Sequence, residues 1–398
     1  MSSNAANDPV ILSAVRTPTG KFGGSLAALS ATDLGAAVIR EAVRRAGVAP
    51  DQIDEVVMGN VISAGLGQSP GRQAALRGGL PSTVPAYVVN KVCGSGLKAI
   101  MLAAQAIRAG DAQLVVAGGM ESMSRVPYLL REARNGLRLG HAKIEDTIIA
   151  DGLWCAFTDV HMGSTAEAVA REYKVSRADQ DRYACESHQK AAKAQAAGLF
   201  RDEIVGVEIP AKKGEKLLFS ADETIRADST IEGLAKLKPA FEKDGTVTAG
   251  NAPGLNDGGA ALVIASRAKA EALGLKPLAT IRASAAGGVE PGWVMMAPVA
   301  AVENLLAKMN VPVSHFDFIE ANEAFAVQAL ATGRKLGFDF ERVNVHGGAI
   351  ALGHAIGASG ARIVTTLLSV LKARGGRTGL ATLCMGGGNG LAMAIERE

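Results

Sequence analysis

The sequence predicts an α/β fold of two related halves with a further region inserted between them, and three observations carry that prediction. Short apolar runs alternate with helical spacings, the pattern of strands and helices packed in layers. The plan then recurs: Val48-Ala-Pro-Asp-Gln-Ile-Asp-Glu-Val is matched by Val311-Pro-Val-Ser-His-Phe-Asp-Phe-Ile at an offset of 263 residues. The same offset carries Gly94 onto Gly357 and the helical stretch 97–109 onto 360–372, which points to a duplication. Thirdly, the stretch from Glu121 to about Asn256 fits neither copy and is more charged, with the run Lys212-Lys213-Gly214-Glu215-Lys216. Residues 1–124 plus 257–277 then form an N-terminal half, 125–256 an inserted loop domain and 278–398 a C-terminal half. A long excursion of this kind is expected to cover a site.

Each element has its own signal. Val10–Val15 is an apolar strand. Asp33–Gly47 is a helix, with Leu34, Val38, Ala42 and Val43 on one face and Gly47 as its C-cap. Asp54–Met58 and Ala86–Val92 read as strands. The second runs into Cys93-Gly94-Ser95-Gly96, and Leu97–Ala109 follows as a helix closed by Gly110. Leu114–Ala117 is a strand, Arg177–Ala197 the one clear helix of the insertion, and Gly379–Ile395 a strand, turn and strand.

Composition narrows the function. Lys and Arg total 42 against 39 Asp and Glu, a net charge of +3, and aromatics are 4%. A strongly basic or base-stacking nucleic-acid binder is excluded. No stretch reads as a membrane span. Four cysteines without a CxxC pair fit reduced thiols in a cytosol. The amino terminus lacks a basic n-region and its first arginine is Arg16, so neither a secretory leader nor a mitochondrial presequence is expected. The histidines form no HExxH and no Cys/His cluster, so a metal site is not expected, and no GxxxxGK[ST] occurs.

Cys93 follows a strand and opens a helix, where the helix dipole and free N–H groups favour thiolate. By position alone it is either a reactive thiol or a core cysteine. Gly94-x-Gly96-x-x-Ala99 imitates a dinucleotide fingerprint, but no acidic residue ends the next strand, so that reading is set aside. His354, in the glycine-rich run Gly347–Gly360, falls within two positions of the equivalent of Cys93 under the 263 offset. A duplicated fold would place the two near a shared pseudo-twofold axis, where the histidine could take the thiol proton. Cys384 is a strand-end cysteine, either core or a second acid/base. Asn322 could hold a water or an oxyanion, or merely cap a turn.

Taken together, these motifs resemble the thiolase family over nearly the whole chain. The resemblance rests on Val92–Gly96, Ala117-Gly-Gly-Met-Glu-Ser-Met123, Asn322-Glu-Ala-Phe-Ala326, Gly347–Gly360 and Cys384–Gly390, in the family's order. Val160-His-Met-Gly163 and Gly245-Thr-Val-Thr-Ala-Gly-Asn251 are most similar to its biosynthetic, acetoacetyl-CoA-forming branch. The resemblance implies duplicated βαβαβαββ halves in an αβαβα layering. It implies an acetyl-CoA C-acetyltransferase, a reversible Claisen condensation through an acyl-cysteine. Cys93 would be the nucleophile, His354 its base and Cys384 the base at the α-carbon. Asn322, through a water, and His354 would form one oxyanion hole, and the N–H groups of Cys93 and Gly386 the other. His161, Met162, Ala249, Pro253, Ala324 and Phe325 would flank the pantetheine and acyl group, with Arg226 near the nucleotide. Acetyl-CoA and CoA are then substrates, no cofactor is needed, and a cytoplasmic homotetramer with no nucleic-acid or membrane partner is implied.

Several positions depart from the family pattern. Ala355 stands where proline follows the active-site histidine, His346 replaces asparagine, Pro253 replaces serine and Asn389 a common methionine. Val294-Met-Met-Ala-Pro298 replaces a Met-Gly-x-Gly-Pro loop. Pro253 and Met295-Met296 leave open a 3-ketoacyl-CoA thiolase of β-oxidation acting on longer chains, whereas His161-Met162 favours short ones. A β-ketoacyl synthase would use two histidines with its cysteine, and Asn322 and Cys384 occupy those roles instead. A non-catalytic acyl-CoA-binding or scaffold protein would have lost one of Cys93, His354 and Cys384, and none is lost.

Overall fold

The computed structural model describes residues 5–211 and 214–398. Residues 1–4 of the amino-terminal stretch and Lys212-Lys213 of the charged run lie outside the described residues. In chain order the main elements are β1 (Pro9–Arg16), α1 (Ala31–Ala46), β2 (Glu55–Gly59), β3 (Ala86–Val89), α2 (Ser95–Ala109) and β4 (Leu114–Ser122). Between β4 and the next long strand lie α3 (Met162–Glu172) and α4 (Arg177–Ala196). There follow β5 (Asn256–Ser266), β6 (Ala279–Gly288), α5 (Ala297–Met309), β7 (Phe318–Ala321), α6 (Ala326–Leu336), α7 (Ile356–Arg374), β8 (Thr378–Met385) and β9 (Asn389–Arg397).

Local chemistry sets the boundaries. Ser30 caps α1 by accepting from Asp33 N–H while Asp33 accepts from Ser30 N–H, and Gly47 ends it at φ 70°. Gly110, at φ 86°, ends α2. β3 stops at Val89, three residues short of the expected strand, because the chain then turns sharply into Cys93. β4 and β5 are buried along their whole lengths. Their near-continuous apolar runs are those of strands covered on both faces.

The strands run β7-β8-β9-β6-β1-β5-β4-β2-β3. β2 is parallel to β3 and β4, and β7 to β8; the other neighbours are antiparallel. Within the described sheet, the strands of the two halves join where Val10 and Ile11 of β1 pair with Thr280 and Ala279 of β6. The two halves match strand for strand except at the edge, where an isolated bridge of Val343 to Ile319 stands in the place of β3. The 263 offset maps β2 onto β7 and β4 onto β8.

Alternation along each strand gives the layers. Val115 and Ala117 face a central core with Leu97, Ile100 and Ile107 of α2 and Val364, Leu367 and Leu371 of α7. Leu114 and Val116 face the opposite way, onto Val38, Ile39 and Val43 of α1. On the other half, Val302 and Leu305 of α5 cover Ile319, Leu380 and Ala394. The order is helix, sheet, two helices, sheet, helix. A fully buried leucine or isoleucine contributes about 1.5–3 kcal/mol to such a core. α2 and α7 cross so closely that a Cβ on Gly360 would lie 2.3 Å from Leu97 N, and one on Gly96 2.8 Å from Ala361 N. This contact is the reason for glycine at positions 96 and 360. α7 is long and apolar enough to cross a membrane, but 83% of that window is buried within the fold.

The stretch between β4 and β5 holds more helix than its sequence suggested. The pattern of α3 is dominated by small residues, Met162-Gly-Ser-Thr-Ala-Glu-Ala-Val, which blur its amphipathic stripe. Its Glu167 accepts the N–H groups of Thr246 and Val247. Asn251 donates to Asp181 of α4 and accepts from Thr248 N–H. The loop 245–251 is thereby clamped to the two helices.

Candidate active site

The turn between β3 and α2 places Cys93. Val92 adopts φ 47°, a left-handed conformation that a β-branched residue takes only under constraint. The constraint is visible: Ser95 Oγ accepts from Lys91 N–H and donates to Val92 O, and Asn90 Oδ1 accepts from Val92 N–H. The Cys93 sulfur is faced by its own N–H and by that of Gly386. Two backbone donors thus converge at one point, the arrangement required by an oxyanion at a carbonyl attacked from that sulfur.

The thiol is not a resting thiolate. Burial pushes Cys93 up to about 12, the charge of Glu121 adds to that, and the two N–H groups offset only part. This corrects the sequence expectation of a helix end that favours thiolate. Cys93 is half-buried, yet what it faces is an apolar cavity, and such surroundings disfavour charge as burial does. Burial, together with Cys93, also raises Cys384 at the end of β8.

His354 is the neutral partner. Its backbone N–H donates to Asn256 Oδ1 at 2.8 Å. Its Nδ1 lies 2.7 Å from Ser359 Oγ, which donates its own proton to Ala355 O at 2.9 Å. The hydroxyl has one proton, so it accepts from Nδ1–H, and Nε2 keeps its lone pair. Burial, then Arg362, pushes the imidazole down to about 4, so it is uncharged and able to accept a proton at neutral pH.

One cavity of about 370 Å³ joins these groups. Cys93, His354, Cys384 and Gly386 line it, as do His161, Met162, Ala249, Pro253, Ala324 and Phe325. Sequence reasoning missed Phe241, Ile149 and Leu153 in the wall, and their spacing carries no signal. Phe241 stacks on His161, with ring centroids 4.7 Å apart, and occupies the space that a Cβ on Gly163 would enter. That contact accounts for the His-Met-Gly run. His161 caps α3 by accepting from Gly163 N–H. Val294 and Met295 complete the wall.

Two expected residues lie elsewhere. Arg226 is exposed and does not line the cavity; its backbone N–H donates to His188 Nδ1. Asn322 lies behind the wall, nearly fully buried, its N–H donating to Thr382 O beside the strand end that carries Cys384. A wider groove of about 670 Å³, lined in part by Arg44, Arg201 and Lys372, contains none of the expected site residues. Among the described residues no group of three His, Cys, Asp or Glu could hold a metal ion.

Comparison with known proteins agrees along the length of the chain. Residues 9–268 match the family model described as thiolase, N-terminal domain, and 275–397 that of the thiolase, C-terminal domain. An acetyl-CoA acetyltransferase of Cupriavidus necator is 55% identical over 391 residues, covering 98% of this chain and all of that one. One from Escherichia coli K12 is 57% identical over 389 residues, 98% of each chain. The crystal structure of the Bacillus anthracis acetyl-CoA acetyltransferase superposes with a TM-score of 0.96 at 45% identity, covering 98% of this chain and 99% of that one.

Proposed function

The chain belongs to the thiolase family, and from that premise we propose that it is an acetyl-CoA C-acetyltransferase, reversibly joining two acetyl-CoA molecules into acetoacetyl-CoA and CoA. The carrying observation is the single cavity lined by Cys93, His354, Cys384 and Gly386, with two backbone N–H groups on one sulfur.

Both thiols start neutral, and the proton balance closes from there. His354 takes the Cys93 proton as the sulfur attacks the thioester carbonyl. The oxyanion is held by the N–H groups of Cys93 and Gly386. The carbonyl re-forms, the bond to CoA breaks, and the leaving thiolate takes the proton of Cys384. Acetyl-Cys93, imidazolium and a Cys384 thiolate remain. That thiolate removes an α-proton from the second acetyl-CoA, and the enolate oxygen is held by His354 and by a water on Asn322. The enolate carbon attacks acetyl-Cys93, and the departing Cys93 sulfur takes its proton back from His354. Every group ends as it began, and the acyl-enzyme requires ping-pong kinetics.

His161, Met162, Ala249, Pro253, Ala324 and Phe325 border the path for pantetheine in this reading, with Arg226 reaching the nucleotide outside. Residues 125–256 act as the loop domain that closes over it. The free cysteines suit a reducing cytoplasm. A homotetramer is supported by the exposed edge strand β3 with Tyr87 and by exposed Tyr128, Leu137, Leu139 and Ile144 in one loop. In the deciding experiment, acetyl-CoA is mixed with the protein and the intact mass is read. An acetyl adduct present in the wild type and absent in Cys93→Ala is expected; a wild type without adduct would make the chain a non-catalytic acyl-CoA binder.

A further inference from the structure

Arg362 is a buried arginine with incomplete pairing. Its Nη1 donates to Glu320 Oε2 at 3.4 Å and its Nη2 to Asn322 Oδ1 at 3.3 Å. Its Nε and Glu320 Oε1 have no partner. A loosely paired buried charge is weak evidence for stability, since an apolar pair of similar volume often serves the fold as well. What Arg362 does contact is informative. A guanidinium offers donors only, so the Asn322 atom that faces it must be the carbonyl oxygen. The amide orientation is thereby fixed, and Nδ2 is left buried and without a protein partner. Three residues earlier on the same face of α7 stands Ser359, which orients His354. Both Ser359 and Arg362 border one small cavity of about 10 Å³ behind the active site.

We infer that Arg362 is a positioning residue: it locks the Asn322 amide so that Nδ2 is the donor available to the water and enolate oxygen beside Cys384. One face of α7 then orients both members of that oxyanion hole. This assignment rests on the reading of Asn322 given above.

The test separates the two half-reactions. Exchange of labelled CoA into acetyl-CoA needs acylation of Cys93 alone, whereas condensation also needs the enolate. Arg362→Met by itself leaves Glu320 buried and unpaired, so it is paired with Glu320→Leu, and a thermal melt checks the fold. Condensation kcat is expected to fall by at least about 10-fold, up to the 100- to 1000-fold typical of a lost oxyanion donor, with CoA exchange within about 3-fold of wild type. In an Asn322→Ala background the paired substitution is expected to cause no further loss of condensation. Equal losses of exchange and condensation would overturn the assignment, and so would unchanged condensation or a further loss in the Asn322→Ala background. A wild type that shows no CoA exchange would remove the functional reading and this assignment with it.

Discussion

Ser359 Oγ lies 2.7 Å from Nδ1 of His354 and is committed as a donor to Ala355 O. That commitment selects the imidazole tautomer with Nε2 free. Ser359→Ala leaves Nδ1–H buried without an acceptor and lets the ring turn or change tautomer. Acylation and condensation should then both slow, by between about 10-fold and the 10⁴-fold seen when a catalytic imidazole is held in the wrong tautomer. Ser359→Thr keeps the hydroxyl and should restore most of the rate. Steady-state kinetics with kcat unchanged in the alanine variant would refute the role.

The Cys93 thiol, pushed up to about 12 by burial and by Glu121, should react slowly with a neutral alkylating agent in the free protein. The thiolate fraction grows tenfold per pH unit below the pKa. Alkylation of Cys93, followed by mass spectrometry, should therefore still be climbing past pH 9, where an ordinary thiol levels off. A plateau near 8 would show a resting thiolate and return the nucleophile to helix-dipole activation.

The contrast between these residues shows what the sequence can carry. Cys93 and His354 stand at the same kind of place, a glycine turn before a helix, and the repeat makes that place visible, whereas Cys384 is legible only as a strand end and takes its role from the family resemblance. Pairing across the core is not written locally. Ser359 reads as part of Gly-Ala-Ser-Gly, and Arg362 as one more residue of a helix, until β7 supplies Glu320 and the residue just after it, Asn322, completes the set. Glu121 could have been found, because the 263 offset that maps β4 onto β8 places it on Cys384. Its carboxylate accepts from Val61 and Gly357 N–H, tying the start of α7 to the N-terminal half. The preference for thiol over thiolate was hidden because it depends on an apolar enclosure assembled from distant segments.

His346, where asparagine is usual in the family, is buried with neither ring nitrogen partnered. Burial pushes it down to about 4 from 6.5, with Arg374 adding to the shift, and Phe200 meets its ring edge-on. A depressed base is protonated first in the unfolded chain. Its share of stability is complete above about pH 6.5 and is lost as pH falls toward 4. His188 and His354, pushed to the same value, act in the same direction. Glu121 and Glu320, raised to about 7 and about 8, act in the opposite direction and gain stability as pH falls through those values. The difference between His346→Asn and wild type isolates one group. Between pH 6 and 5 denaturant unfolding should shift in favour of the variant by up to about 1.4 kcal/mol per pH unit. Parallel pH profiles would show that His346 stays neutral in both states or is charged in both.

Met295 is expected to limit the size of the acyl pocket. It occupies the position of a glycine in the usual loop, it is buried, and it lines the cavity beside Val294 with Met162 and Phe325 also in the wall. A thioether side chain there takes volume that a third or fourth acyl carbon would need. For the wild type, kcat/KM for thiolysis should fall steeply beyond the four-carbon 3-ketoacyl-CoA. Met295→Gly should open the wall and raise kcat/KM for the six-carbon substrate by about 10-fold or more, since one to two methylenes in an apolar pocket account for that much discrimination. Activity on the four-carbon substrate should change far less, because the catalytic groups Cys93, His354, Cys384 and Gly386 all remain in the variant. The ratio of the two values is the informative quantity, as it cancels any general loss in the variant. A flat chain-length profile in the wild type would move the protein to the longer-chain, degradative branch. A steep wild-type profile that Met295→Gly leaves unaltered would transfer the limit to Met162, whose position at the start of α3 is fixed by the His161 cap.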